Sequence, residues 1–392
     1  MKIGIDAVTW NNRRGFGRFT RELLEALITN DRTNEYLFFT DDEIQEVAVD
    51  QPNVKIIPTK TGVSAMQAAS SSGRRSIRDL LAMSHEVWRH QVDLFFFPAV
   101  YSYFPIFNRA KIIVTLHDVI AEHHPELVFP NSRLKNFWKI KQNIAIRQAD
   151  LILTVSDYSK TEIINYFNLP ESKIRVISEA ARSVFRVIPS GDESKKALDR
   201  HKLKPDDKFL LYVGGISPHK NLKALVDAFS IIVNSSTGRL KLVLVGDYKD
   251  DPFFSIYPDL KKHINSLDLT ERVMFTGFID DIDLAHFYNA AFLVVLPSLE
   301  EGFGLPAVEA MACGAPVAAS RRGSLPEVLG KAGRFFDPAS VSNMAETISG
   351  IIENAPLQAE MRRAGLDRAK DYLWNKAAGD LLKIFEDLYE TR

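Results

Sequence analysis

Cysteine is almost absent from this chain: one residue, Cys313, in 392. A single thiol excludes an intramolecular disulfide and a cysteine-based metal cluster, and fits a reducing compartment. Net charge is almost absent too. Lysine and arginine number 49 against 50 aspartates and glutamates, leaving −1, so no global field recruits nucleic acid and any anion site is local. No apolar run approaches the ~20 residues that span a bilayer. The opening MKIGIDAVTW has one lysine and an apolar run broken by Asp6, and it reads as a first β-strand, not an export signal. No tandem repeat of solenoid period is visible. These absences lead us to expect a cytoplasmic protein, at most peripheral to the inner membrane.

What is present is alternation. A chain of 392 residues exceeds the ~250–300 at which single cores stop growing, so two domains are expected. Residues 3–6, 36–39, 54–57, 94–97, 112–116 and 151–155 are short, β-branched or aromatic runs, apolar on both faces as buried parallel strands are. Amphipathic patterns predict helices over 18–29, 77–90, 133–148 and 159–167. The segment 181–207 holds Pro189, Gly191, a charged cluster and Pro205. It breaks the rhythm, and the interdomain connection is placed in it. Strands are then expected at 209–213, 240–245, 273–276, 292–296 and 316–319. Helices are expected at 221–233, 259–267, 282–289 and 306–311. After Asp337 only helices are expected, over 341–353, 357–372 and 376–388. The expected class is α/β, with two Rossmann-like doubly wound parallel-sheet domains at 1–184 and 185–372, followed by a last helix in 373–392. Ligands of such sheets bind beyond the carboxyl ends of the strands, so residues just after strands carry the functional argument.

The strongest constellation is Pro297-Ser-Leu-Glu-Glu-Gly-Phe-Gly-Leu-Pro-Ala-Val-Glu309. It follows a strand and enters a helix, with Pro306 suited to the first turn. The backbone N–H groups of Phe303, Gly304 and Leu305 would converge at a helix N-terminus, a ready site for phosphate. Glu309, a turn into the helix, suits ribose hydroxyls, and Glu301, before the turn, can face a sugar. The bland alternative is a glycine-rich turn with two solvated glutamates.

Two glutamates spaced in this way around Glu-Gly-Phe-Gly-Leu-Pro resemble the signature of glycosyltransferase family 4, the retaining nucleotide-sugar transferases. The bacterial mannosyltransferases of surface-polysaccharide assembly are the members it resembles. The likeness runs in order from Gly15 to the C-terminal helices. It implies the GT-B fold of two facing Rossmann-like domains, acceptor-side first and nucleotide-sugar-binding second, with the last helix crossing back to the first. It also implies transfer of a hexose, mannose as the first guess, from a GDP- or UDP-linked donor to a glycan or polyprenyl-diphosphate-linked acceptor. By resemblance Glu301 contacts the donor sugar, Glu309 holds the ribose, and the backbone of Phe303, Gly304 and Leu305 holds sugar hydroxyls and diphosphate.

Further stretches complete the expected site. Tyr212-Val-Gly-Gly-Ile-Ser-Pro-His-Lys-Asn221 follows a strand, and Lys220 is a point charge suited to the diphosphate that departs. Gly214 and Gly215 open the turn. Many relatives carry an arginine where Gly215 stands, and some where His219 stands, so His219 is a candidate hydrogen-bond donor instead. In Thr115-Leu-His-Asp118, resemblance points His117 at the donor sugar and reacting centre, and Asp118 could orient its imidazole. His123 and His124 read as loop residues, because nothing in the spacing completes a zinc site.

Arg14-Gly-Phe-Gly-Arg-Phe-Thr20 lacks the third glycine of a dinucleotide fingerprint. Resemblance makes it a mobile loop in which Gly15 and Gly17 allow close approach and Arg18 is offered for phosphate. Ser156 and Ser159 resemble a cleft-facing turn or serve only as a helix cap. Relatives seat the base on backbone near Gly277, which brings in Phe278 and Ile279. Trp10, Tyr101, Tyr103 and Phe104 divide between core and acceptor wall. Asp250-Asp251 and Asp280-Asp281 are adjacent pairs, not an Asp-x-Asp motif, so no metal or other cofactor is expected. The segment 60–76, with Arg74, Arg75 and nearby Arg78, is a candidate basic loop over a lipid-linked phosphate. Rival readings are an NAD- or FAD-dependent oxidoreductase, a solute-binding protein, and an inactive nucleotide-sugar-binding homologue.

Overall fold

A computed structural model describes residues 1–12, 15–41, 51–62, 76–129, 131–204, 207–235, 239–248 and 255–391. Residues 63–75 of the expected basic loop, with Arg74 and Arg75, lie outside them, as do Arg14 and the Asp250-Asp251 pair. The chain divides into two compact units. One comprises Met1–Glu179 with Leu373–Arg392, the other Ala180–Tyr372. The expected change of domain at 185 therefore lies inside the second unit.

The first unit is built on a seven-stranded sheet. Its strands are β1 (Lys2–Asp6), β2 (Glu35–Thr40), β3 (Val54–Pro58), β4 (Leu94–Phe97), β5 (Lys111–Thr115), β6 (Leu151–Thr154) and β7 (Ile174–Val176), in the order β3-β2-β1-β4-β5-β6-β7. All neighbours pair in parallel. β4 is Leu-Phe-Phe-Phe, buried throughout, because helices cover both faces of a parallel sheet. Alternate side chains divide between those faces. Phe95 and Phe97 join a cluster with Met83 and Val87 of α2 (Ile77–His90) and Ala145 and Ile146 of α3 (Ser132–Gln148). On the other face, Phe96 meets Phe385 ring to ring at 5.6 Å. Phe385 belongs to the C-terminal helix Trp374–Glu390, which packs along α1 (Gly15–Asn30).

The second unit repeats the order with six parallel strands. They are β8 (Phe209–Val213), β9 (Lys241–Val245), β10 (Val273–Gly277), β11 (Leu293–Leu296), β12 (Val317–Ser320) and β13 (Gly333–Phe336), arranged β10-β9-β8-β11-β12-β13. In both sheets the order reverses beside the first strand, between β1 and β4 and between β8 and β11. Crevices for ligands open at such switch points.

Two strands and several short helices depart from the sequence expectation. β7 and β13 are strands that the pattern does not announce. Each is three or four residues long, sits at a sheet edge, and carries an arginine. Edge strands need no second apolar face, so they leave little signal. The segment expected to be connection also contains a helix, α4 (Asp192–Arg200). Its apolar contribution is Ala197 and Leu198, too short a stripe to show a period.

Candidate functional site

At the switch point of the second sheet, the loops after β8 and β11 are tied together. The N–H of Leu299 donates to the carbonyl of His219 at 2.8 Å. The Asn221 amide donates to the carbonyls of Pro297 at 3.1 Å and Pro338 at 2.8 Å. Asn221 can do this because its backbone is left-handed, at φ 57°, ending the short turn Pro218–Lys220.

That turn presents Lys220, whose ammonium donates to Glu301 Oε1 at 2.7 Å. Ser298 Oγ donates to the same oxygen at 2.6 Å. Burial by itself would raise the Glu301 carboxyl, but the charge and hydrogen bond of Lys220, helped by Ser298 and His219, hold it below the ordinary carboxylate value. Glu301 is thus an anion fixed beside a cation. Its backbone is held from the far side by Ser324, whose Oγ donates to the carbonyls of Glu301 at 3.1 Å and Phe303 at 2.7 Å. Gly323 makes this approach possible: a Cβ there would lie 2.7 Å from the Glu301 nitrogen.

The chain then turns into the helix α5 (Leu305–Ala312). Gly304 is its N-cap at φ 94°, with no side-chain cap among the described residues and Pro306 in the first turn. A helix N-terminus without a side-chain cap offers its first N–H groups to an anion. Phe303 and Leu305 are buried on either side, and the Phe303 ring meets Tyr372 edge-on at 5.6 Å. Glu309 is buried and accepts from Tyr288 Oη at 2.9 Å.

Gly214, at φ 153°, lies over Tyr212, whose hydroxyl donates to the carbonyl of Gly215 at 2.7 Å. His219 Nδ1 is 3.4 Å from Ser217 Oγ. Phe278 is exposed and Ile279 buried beside the left-handed Gly277. The single thiol, Cys313, is pushed up to about 12, by burial and then by the charge of Glu309, which removes it as a nucleophile at neutral pH.

In the first unit His117 follows β5. Its Nε2 lies 3.1 Å from the carbonyl of Pro98, and its ring packs edge-on against Phe19 at 4.8 Å. A carbonyl only accepts, so this contact assigns the proton to Nε2. The acid beside Nδ1 is Glu179, at 3.7 Å and buried. Asp118 accepts from the N–H of Ile120 at 3.0 Å, so the acid that the structure sets against the imidazole is not the adjacent one. Gly15, Gly17 and Arg18 belong to the first turn of α1 and not to a loop. A Cβ on Gly17 would fall 2.1 Å from the Asn12 carbonyl oxygen, whereas one on Gly15 meets nothing within 4 Å among the described residues. Ser156 caps the helix Asp157–Phe167 by accepting from the Ser159 N–H at 3.0 Å, and both serines are buried. Trp10, Tyr103 and Phe104 are core, and Tyr101 is exposed. His123 lies 3.6 Å from Glu162 and His124 lies 3.8 Å from Glu126.

Comparison with known proteins now decides the family. Residues 13–180 match the profile of Glycosyltransferase Family 4, and residues 193–368 that of Glycosyl transferases group 1. The chain is 31% identical over 284 residues to O-antigen chain mannosyltransferase B of Escherichia coli, 70% of each chain. The chain belongs to glycosyltransferase family 4.

The glycosyltransferase is also 30% identical over 287 residues to the serotype-specific mannosyltransferase WbdA of Escherichia coli, 72% of this chain but 34% of that one. Its fold is shared with sucrose-phosphate synthase from Thermosynechococcus elongatus, with a TM-score of 0.76, 19% identity and full coverage of both chains. It is also shared with Anabaena Alr3699/HepE, solved with UDP and glucose, with a TM-score of 0.73, 20% identity and coverage of 98% and 99%. Four residues that hold candidate side chains, three in the second unit and one in the first, carry no sequence signal of their own. Tyr288 lies mid-helix, Gly323 and Ser324 lie after an unremarkable strand, and Glu179 follows the unannounced β7. Only Asn221 could have been noticed, since Asn tolerates the left-handed backbone after a Pro-containing turn.

Proposed function

We propose that the glycosyltransferase moves a hexose, mannose in the first instance, from a GDP- or UDP-linked donor to a glycan or polyprenyl-diphosphate-linked acceptor of surface-polysaccharide assembly. On this reading the anomeric configuration is retained and no metal takes part. The observation that carries it is the Lys220–Glu301 pair, 2.7 Å apart, beside the Gly304 turn that opens α5. A departing nucleotide diphosphate gains negative charge. Lys220 and the first N–H groups of α5 are the groups that would neutralise it. Glu301, kept ionised, would accept from sugar hydroxyls, and Glu309 from the ribose. The resemblance gives His117 the reacting centre. Retention follows if the leaving diphosphate itself takes the acceptor proton on the same face, so the protein's part is positioning and charge compensation. The names of the relatives support mannose, and HepE, solved with UDP and with UDP-glucose, supports a nucleotide-sugar donor. The oxidoreductase and inactive-homologue readings have no observation in their favour.

The test is a thermal-shift and hydrolysis screen against GDP-mannose, UDP-glucose and ADP-glucose with EDTA present, with anomer analysis of any product by NMR. One donor should stabilise by roughly 2.7 kcal/mol at ~100 times its dissociation constant and be turned over in EDTA. No stabilisation by any donor, or activity only with added metal, would overturn this reading.

A further inference from the structure

Charge does not balance at the switch point of the second sheet. One cation, Lys220, stands there against two carboxylates, Glu301 and Glu309, and Lys220 is already paired with Glu301 at 2.7 Å. A nucleotide diphosphate is a further anion, and the first N–H groups of α5 offer it only partial charge. A diphosphate seated there calls for a second full positive charge.

Position narrows the source. Ligands of parallel sheets bind beyond the carboxyl ends of the strands. Between each strand of the second unit and its next α-helix, the lysines and arginines among the described residues are Lys220, Arg321 and Arg322. Arg321 is engaged elsewhere: its guanidinium donates to Asn343 Oδ1 at 3.0 Å, on the helix Val341–Ile352. Arg322 is exposed, and its guanidinium makes no hydrogen bond or ion pair among the described residues. Its loop is the one that holds Glu301. The strand order β8-β11-β12 sets the loops after β8 and β12 on either side of the loop after β11. From the first, Lys220 reaches the Glu301 carboxylate. From the second, Gly323 lies against the Glu301 backbone, and the N–H of Ser324 donates to the Glu301 carbonyl at 3.1 Å. The Arg322 backbone is fixed as well, its N–H donating to Ser320 Oγ at 3.2 Å. An anchored backbone thus carries a planar fork of donors matched to phosphate oxygens.

We propose that Arg322 is a diphosphate-binding residue of the donor site, its guanidinium taking phosphate oxygens from the side of β12 while Lys220 takes them from the side of β8. This role rests on the transfer reading and adds to it a residue outside the glutamate and lysine motifs. Isothermal titration of the full chain measures GDP, UDP and ADP, then the nucleoside of whichever base binds, then farnesyl diphosphate as a lipid-type diphosphate. Arg322→Ala should weaken the nucleotide diphosphate at least about ten-fold and the nucleoside less than about two-fold. Arg322→Lys, which keeps the charge and loses the fork, should fall between wild type and Arg322→Ala. Arg321→Ala should bind as wild type does. The loss in Arg322→Ala should shrink as salt is raised to ~0.5 M. Both arginines are exposed, so the unfolding midpoints should stay at the wild-type value. Wild-type affinity for the nucleotide diphosphate in Arg322→Ala overturns the role and leaves the transfer reading standing. So does an equal loss of diphosphate and nucleoside, an equal loss in Arg321→Ala, or a loss confined to farnesyl diphosphate. No binding of GDP, UDP or ADP by the wild type removes the transfer reading and this role with it.

Discussion

The two units share a strand order and differ in what holds their loops. In the second, hydrogen bonds and an ion pair lock the ends of β8 and β11 together: His219 to Leu299, Asn221 to Pro297, Lys220 to Glu301. In the first, Phe19 packs against His117 and Trp374, and the residues beyond the strands are held by hydrogen bonds such as those of Ser102 to Asp6 and of Tyr103 and Ile106 to Gln148. The same topology thus supports a charge-locked site in one unit and an apolar-framed histidine in the other. Their half-buried acids differ in the same sense. Lys220 keeps Glu301 ionised, whereas burial pushes Glu122 up to about 7, with the Trp138 hydrogen bond opposing and the Asp118 charge adding.

The largest break in the comparison is removal of the C-terminal helix. Truncation after Tyr372 takes Leu381 and Phe385, both 0% exposed, out of the first unit. Losses of about 2–5 kcal/mol per buried side chain should leave that unit unfolded or aggregated. A soluble truncation with native amide exchange in the first sheet would contradict the account.

Lys220→Met should come next, because it strands Glu301 without its cation. Breaking a buried pair costs about 3–5 kcal/mol; here both side chains keep 15–19% exposure, so about 3 kcal/mol is expected. Transfer should fall about 10³-fold. Chemical denaturation and steady-state kinetics measure both, and near-native values in both would remove the pair from the site.

His117→Ala should leave the first unit folded and lower transfer about 10²-fold. Glu179→Gln sharpens the point. If Glu179 positions the imidazole, kcat should fall several-fold while KM and the unfolding midpoint stay near wild type, which simple loss of packing would not achieve.

The pH dependence should have opposite signs in the two units. Glu301, depressed in the fold, contributes stability that is present above the ordinary value of 4.5 and lost as pH falls through its folded value. Glu122, raised in the fold, contributes stability present below 4.5 and lost as pH rises through about 7. Glu122→Gln should therefore flatten a loss of up to about 3 kcal/mol in the first unit across that window. Hydrogen exchange resolved by unit reads it, and an unchanged slope would show that Glu122 stays ionised.

The smallest effect belongs to Tyr288→Phe. It removes one donor from buried Glu309 and should cost about 1 kcal/mol, with a several-fold weaker nucleotide diphosphate titration. Unaltered affinity would mean that Glu309 acts without Tyr288.

Much of the fold was legible because buried parallel strands are written as local apolar runs, and the 297–309 stretch announces a helix entrance through Gly304 and Pro306. The sequence alone determined the α/β class, most strands and helices, and the glutamates and lysine after β8 and β11. Only the tertiary structure decided that the acid beside His117 is Glu179 and not Asp118, that Glu301 is paired with Lys220, and that Gly323 and Ser324 hold its backbone. Those contacts join residues 62, 81 and 22–23 positions apart. Strand order brings such residues together, at the switch point between β8 and β11 for Lys220 and Glu301 and along the same sheets for the others, and strand order is a property of pairing across the whole unit, which no local window of residues contains.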